Sequence, residues 1–282
     1  MSSPVERRLF MVVGTQRTGT TLLRDILNSN DEVAMVAEIM IPYPDNCHWN
    51  RFVPTLPEGS LPPRDEAAGL ALFDRYFAHF DDEIWTNWKE PKRRAPAIGI
   101  DVKCDQFRLV EPVGWPAEGP PFLLHYARLR GFVLINTIRR NVLQCMISYM
   151  LGLQRDFWHN YEGRSVERAY TLDIAESLAW ARGIVQQQRE LEQFACDGPV
   201  VRCYYEDLVA AIADADPDKE LADHPGALRD IADALGVPRR FRYDGRLQRA
   251  TNRPYPEIIA NYDAFMAAIQ VSEFAPWADT IR

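Results

Sequence analysis

Two short stretches of this sequence carry residues whose types and spacing suit the handling of an anion. The first is GTQRTGTT, residues 14–21. A loop between a buried strand and a helix start aims several backbone N–H groups at one point, and the helix dipole favours negative charge there. Gly14 and Gly19 keep the glycine spacing of a nucleoside-triphosphate loop, but Thr20 stands where its lysine belongs, followed by Thr21. ATP chemistry needs that lysine on the β- and γ-phosphates. The nearest cation is Arg17, inside the loop. Thr15, Gln16, Arg17, Thr18, Gly19, Thr20 and Thr21 therefore read as a phosphate cradle poorly equipped for ordinary ATP chemistry. The bland alternative is a strand-to-helix turn with Arg17 in solvent.

The second stretch is IRRNVLQCMIS, residues 138–148. Arg140 closes an apolar run, and Ser148 follows eight residues later inside a helical pattern. Ligands of open parallel sheets sit at the carboxyl ends of the strands. An arginine there offers a planar fork that suits a phosphate. Taken alone, Arg139 and Arg140 read as surface charges and Ser148 as a small packing residue. Beside the first loop, Arg140 and Ser148 become a second anion clamp.

These groups need strands and helices to carry them. Residues 9–13 are continuously apolar, as a parallel strand buried on both faces requires. Residues 20–28 place Leu22, Leu23, Ile26 and Leu27 on one helical face. Further strands are predicted at 98–103, 132–138 and 200–204. Further helices are predicted at 67–80, 121–130, 142–153, 172–194, 225–235 and 256–269, the fifth of these stopping at Gly236. This alternation implies an α/β fold, a mostly parallel sheet with helices on both faces. Residues 39–64 hold Pro42, Pro44, Pro54, Pro57, Pro62 and Pro63 and read as irregular, as do residues 85–96.

The composition bounds the rest. The 282 residues are 47% hydrophobic and 26% charged, with net charge −8. That fits one globular domain spanning 1–282 and excludes a disordered or fibrous chain. The acidic balance argues against a general nucleic-acid binder. Five cysteines without a CxxC pair read as reduced thiols of a cytoplasmic protein. Only six residues separate Arg8 from the polar Thr15, too few for the apolar core of a secretion signal, and no apolar run reaches the ~20 residues of a membrane span. Asp214, Asp216, Asp218 and Glu220 alternate like a calcium loop, but Lys219 and Pro225 replace its glycine and bidentate glutamate, so no metal is expected.

Together, TQRTGTTLL (15–23) and Arg140 with Ser148 resemble the sulfotransferases that use 3′-phosphoadenosine 5′-phosphosulfate (PAPS). The loop form and the stretch ISYMLGLQRDFW (147–158) are similar to bacterial carbohydrate and small-molecule members such as the trehalose sulfotransferase. The resemblance implies a P-loop-like fold, PAPS as donor with PAP as product, and no metal. It assigns Arg17 to the 5′-phosphate and its bridging oxygen, Thr18 to Thr21 to the phosphate cradle, and Arg140 with Ser148 to the 3′-phosphate. RATNR (249–253), with Arg249 and Asn252, is similar to the late loop over the nucleotide, although the Arg-Lys-Gly run of the cytosolic animal branch is absent.

Transfer needs a base for the acceptor proton. Glu38 stands where related bacterial and heparan-type enzymes carry a glutamate. Asp105, in Lys103-Cys104-Asp105, stands where the cytosolic branch has a histidine. Glu38 ranks first, Asp105 second and His48 third, with Lys103 as a second cation near the sulfuryl group. Trp49, Phe52, Trp85, Trp88, Phe157, Trp158 and Tyr161 offer faces for a sugar or flat metabolite, or ordinary packing. Lys89, Lys92, Arg93 and Arg94 form a basic cluster that could meet an anionic acceptor or simply face solvent. The partner expected is a small-molecule or saccharide acceptor. A homodimer is the oligomer that related families suggest. Two other readings stay open, a P-loop kinase or NTPase and a nucleotide-binding module without turnover.

Overall fold

The computed structural model describes residues 7–40, 48–87, 95–155, 158–161, 168–194, 200–213, 221, 226–245, 247 and 253–281. Five parallel strands form one sheet: β1 (Arg8–Gly14), β2 (Val33–Glu38), β3 (Ala97–Lys103), β4 (Val133–Ile138) and β5 (Val200–Tyr204), in the order β2-β3-β1-β4-β5. The helices of the first half are α1 (Thr20–Leu27), α2 (His48–Phe52), α3 (Glu66–Asn87), α4 (Phe122–Leu129) and α5 (Val142–Leu153). Those of the second half are α6 (Ile174–Phe194), α7 (Tyr205–Ala213), α8 (Ala227–Leu235), α9 (Tyr255–Ile258) and α10 (Tyr262–Gln270).

Alternation along each strand sends side chains to opposite faces. Met11 and Val13 of β1 join Ile100 and Val102 of β3 beneath Phe73, Tyr76, Phe122 and Tyr126 of α3 and α4. Phe10 and Val12 face the other way, onto Leu23 and Ile26 of α1 and Ile231 and Leu235 of α8. A third cluster joins Met146 and Met150 of α5, Ile184 of α6 and Phe265 and Ile269 of α10. The sheet is thus covered on both faces, as the continuous apolar run of β1 requires.

The chain leaves β1 towards β2 and β3 on one side, then crosses back to β4 and β5 on the other. The change of direction beside β1 opens a crevice at the carboxyl ends of the strands.

The departures from the sequence reading have local causes. VAMVAE, 33–38, is a strand in its own right, paired to β3, and its apolar run is too short to separate from the loop without that pairing. YEDLVAAIA, 205–213, is a helix that follows β5 without a loop. The 39–64 segment contains α2 and a 3-10 turn, and α3 runs on to Asn87 through the start of the 85–96 segment. The final helix is two helices. Ile259 turns extended at φ −111°, and Tyr170 donates to Ile258 O while its own carbonyl accepts from Ala260 N, both at 2.9 Å. The acidic run 214–220 lies outside the described residues.

Candidate functional site

The end of β1 sets the centre of the site. Gly14 pairs in register with Lys103 of β3 on one side and Thr137 of β4 on the other. A Cβ on Gly14 would stand 2.2 Å from Thr137 Oγ1 and 2.8 Å from Thr18 Oγ1, so only glycine lets the loop leave here. Thr18 turns inward, donating to Thr15 O and sharing a hydrogen bond with Thr137 Oγ1, both at 2.9 Å. Thr15 is buried too. These two residues brace the loop, while Gln16, Arg17, Gly19, Thr20 and Thr21 line a cleft of about 620 Å3.

Gly19 adopts φ 89° and opens α1 with no side-chain cap and no acidic residue in the first turn. The first-turn N–H groups are left without an intrahelical acceptor. Arg17 adopts φ 67°, a left-handed conformation that costs a non-glycine residue about 1–3 kcal/mol. Its side chain holds the loop in that state. Nε donates to Ser148 Oγ at 3.1 Å and Nη1 to Trp158 O at 3.0 Å.

Four arginines among the described residues line this cleft. Arg253 donates to Glu257 Oε2 at 3.0 Å. The other three come from different elements: Arg17 from the loop after β1, Arg139 from the turn after β4 and Arg155 from just beyond α5. The Arg139 guanidinium lies 4.5 Å from the Tyr205 ring centroid and donates to Arg17 O at 3.4 Å and Gln144 Oε1 at 3.3 Å. Arg139 Nε and both Nε and Nη2 of Arg155 are buried without a hydrogen-bond partner. No carboxylate among the described residues pairs with any of the three. Burial lowers the pKa of Arg17, and Arg139 and Arg155 push it down further. Arginine stays protonated even so.

The β3 side is different. Lys103 Nζ donates to Asp101 Oδ1 at 2.7 Å and Oδ2 at 2.6 Å, and also to Thr20 Oγ1. Glu38 Oε1 lies 3.4 Å from the same nitrogen, and Gln106 Nε2 donates to Glu38 Oε2 at 3.0 Å. Burial is the main cause that raises the Asp101 pKa, with the Glu38 charge adding to it and Lys103 opposing. His159 also lines the cleft. Burial, then Arg17, Arg24 and Lys103, push its pKa down to about 4.

The structure therefore brings together Arg17, Gly19, Thr20, Thr21, Ser148, Lys103 and Glu38. It does not bring Arg140 to the cleft as it stands. That guanidinium binds Asp207 at 2.5 and 2.9 Å and stacks 3.9 Å from the Tyr204 ring centroid, both beside the end of β5. Adjacent residues leaving a strand point apart, so it is Arg139 that faces the loop. Asp105 is exposed in the 3-10 turn after β3, where it lines a separate pocket with Arg108 and Glu190. Arg249, Asn252, Trp88, Lys89, Lys92, Arg93, Arg94 and Phe157 lie outside the described residues. Trp49 and Phe52 are buried against Phe73 and Tyr76 and belong to the core. Trp158 lines the cleft, whereas the Tyr161 hydroxyl is held by Arg24 and Asp25.

Sequence reasoning missed Gln106, Arg155, His159 and Tyr205, and gave Asp101 no role in a sulfotransferase site. One signal was available. Positions 144, 148, 151 and 155 recur at helical spacing, so Gln144, Ser148, Leu151 and Arg155 fall on one side of α5 and its extension, and all line the cleft. The Tyr205 contribution had no such signal, since its ring reaches Gly19 only through the adjacency of β4 and β5.

No protein-family model and no curated protein matches the sequence. Among solved structures, the chain is similar to the sulfotransferase domain of the Synechococcus PCC 7002 olefin synthase, at 16% identity and TM-score 0.42, over 98% of this chain and 94% of that one. It is also similar to the sulfotransferase STF9 of Mycobacterium avium, at 17% identity and TM-score 0.37, over 99% of this chain and 77% of that one.

Proposed function

We propose that this chain is a sulfotransferase that takes PAPS and passes its sulfuryl group to a hydroxyl or amine of a carbohydrate or small metabolite. The observation that carries the reading is that three of the four arginines lining one cleft, Arg17, Arg139 and Arg155, have no carboxylate among the described residues to pair with them. Buried unpaired cations are costly. A ligand with several negative charges removes that cost, and the open first turn of α1 adds donors for one of its phosphates.

The donor supplies an activated sulfuryl group on a 5′-phosphate. Arg17, Lys103 and the N–H groups at the start of α1 neutralise the charge that develops on that phosphate as it leaves. Glu38 takes the acceptor proton. It is part-exposed in the cleft, and Gln106 orients its far oxygen. Ser148 and Arg139 take the 3′-phosphate. Arg140 reaches it only by exchanging Asp207 for phosphate, an exchange that costs little because both partners are half exposed. Tyr205 and Tyr243 offer rings to the adenine end, and Trp158 offers one to the acceptor. The free thiols of Cys104, Cys145 and Cys203 fit the reducing setting of the cytoplasm.

A calorimetric titration of PAP, run beside ADP and Mg-ATP, tests this reading. Tight PAP binding with much weaker ADP binding is the expected result, because the 3′-phosphate is the group that separates them. Equal affinities, or a preference for Mg-ATP, would return the site to the kinase reading. Transfer from a labelled donor across an acceptor panel then separates an enzyme from a binding module.

A further inference from the structure

Asp101 is buried behind Lys103, whose side chain lines the cleft. It stands two residues before Lys103 on β3, so the two side chains share a face of the sheet. Across the sheet it pairs in register with Glu38, beyond an irregularity between Met35 and Glu38. One ammonium thus has two carboxylates within reach. The Asp101 oxygens are at 2.7 and 2.6 Å, while the nearer Glu38 oxygen is at 3.4 Å. The same ammonium donates to Thr20 Oγ1. Thr20 is the loop position at which a nucleoside-triphosphate loop carries its lysine. Lys103 reaches that position from the neighbouring strand and supplies the cation the loop lacks.

We infer that Asp101 is a positioning residue that holds the Lys103 ammonium at Thr20, beside the first turn of α1, and keeps it from collapsing onto Glu38. The inference rests on the sulfotransferase reading for the identity of the anion and of the base, and on geometry for the rest. With Asp101 neutral, Glu38 is the remaining negative charge paired with Lys103 among the described residues, since Gln106 and Thr20 are neutral. The ammonium then moves to Glu38. The anion loses a cation and the base loses the lone pair it needs. Simple electrostatics predicts the opposite sign, because deleting a buried negative charge beside a polyanion should tighten binding. The direction of the effect therefore decides the matter.

The experiment is a PAP titration of the wild type, Asp101→Asn, Lys103→Met, the double variant of those two, and Asp101→Asn combined with Glu38→Gln, each checked by thermal melting. Lys103→Met is expected to weaken PAP about tenfold, the scale of one charge-assisted hydrogen bond, and Asp101→Asn about threefold or more. In the Lys103→Met background Asp101→Asn should add no further loss. Glu38→Gln should restore the affinity lost in Asp101→Asn, because the lysine then has no carboxylate to move to. A merely structural role for Asp101 would give the same loss in both backgrounds and no rescue. Unchanged or tighter binding in Asp101→Asn overturns the inference, as does absence of rescue. If Asp101→Asn does not fold, Asp101→Ser takes its place in the same set. If the wild type does not bind PAP, the sulfotransferase reading fails, and the set is titrated with inorganic pyrophosphate. The same pattern there keeps the positioning role, and no binding of pyrophosphate overturns that as well.

Discussion

The two sides of the central strand treat their cations in opposite ways. On the β3 side, Lys103 is surrounded by Asp101, Glu38 and Thr20 and is almost fully buried. On the β4 side, Arg17 and Arg139 have only neutral acceptors among the described residues, namely Ser148, Trp158 O, Gln144 and the Arg17 carbonyl. A cation saturated with carboxylates is held in place and lends its charge to a reaction. A cation without them is left for a ligand to complete. On the proposed sulfotransferase reading, the difference separates a transfer side of the cleft from a donor-gripping side, although both are built from parallel strands of the same sheet.

The largest effect should come from the β3 side. Glu38→Gln is expected to lower transfer about hundred- to ten-thousand-fold, the range of general base catalysis, while PAP affinity stays within about threefold. A labelled-donor assay beside a PAP titration measures both. Near-normal transfer would break the division by taking the base away from this side. On the β4 side, Arg139→Ala should weaken PAP about 10- to 100-fold, with ADP nearly unaffected. Arg140→Ala should change PAP less than about threefold, since its exposed pair with Asp207 is worth little. The reverse order would show that Arg140 leaves Asp207 to grip the phosphate.

The point where the two sides meet is the next most sensitive. A Cβ at Gly19 would lie 2.5 Å from the Tyr205 ring, at φ 89°. Gly19→Ala should therefore cost about 1–3 kcal/mol of stability and weaken PAP several-fold, read by melting and calorimetry. The smallest effect is on pH. His159 titrates near 6.5 when unfolded and near 4 in the folded chain. The unfolded chain then binds a proton that the folded chain refuses, so stability present above about pH 6.5 is lost as pH falls towards 4. His159→Asn should flatten that limb of the stability curve. Bound PAP should raise the His159 pKa by offsetting Arg17 and Lys103, which NMR titration of the imidazole can follow. A pKa that PAP leaves unmoved would mean that the cations around His159 do not face the ligand.

Legibility varied from element to element. β1 could be read because it is a continuous apolar run, β4 and β5 because they are short stretches rich in β-branched residues, and α1 and α8 because each shows an apolar face or a glycine stop. β2 could not, since its identity as a strand depends on pairing with β3, far along the chain, where Val33 meets Ala97. The glycine loop could be read from its spacing. The choice between Arg139 and Arg140 could not, because it depends on which way each leaves β4 and on the presence of Tyr204 at the end of β5 and of Tyr205 and Asp207 just after it.

What the sequence by itself determined is the local chemistry: a strand, a glycine-bounded turn and a helix start, with one arginine inside the turn and a serine on a later helix. These follow from backbone constraints and periodicity, which act over a few residues. What only the tertiary structure decided is how that chemistry is shared. The register of β2, β3, β1 and β4 puts Glu38 opposite Asp101 and sets Gly14 between Lys103 and Thr137. Coulomb energies depend on separations in space, and sheet order, which the chain does not display along its length, sets those separations.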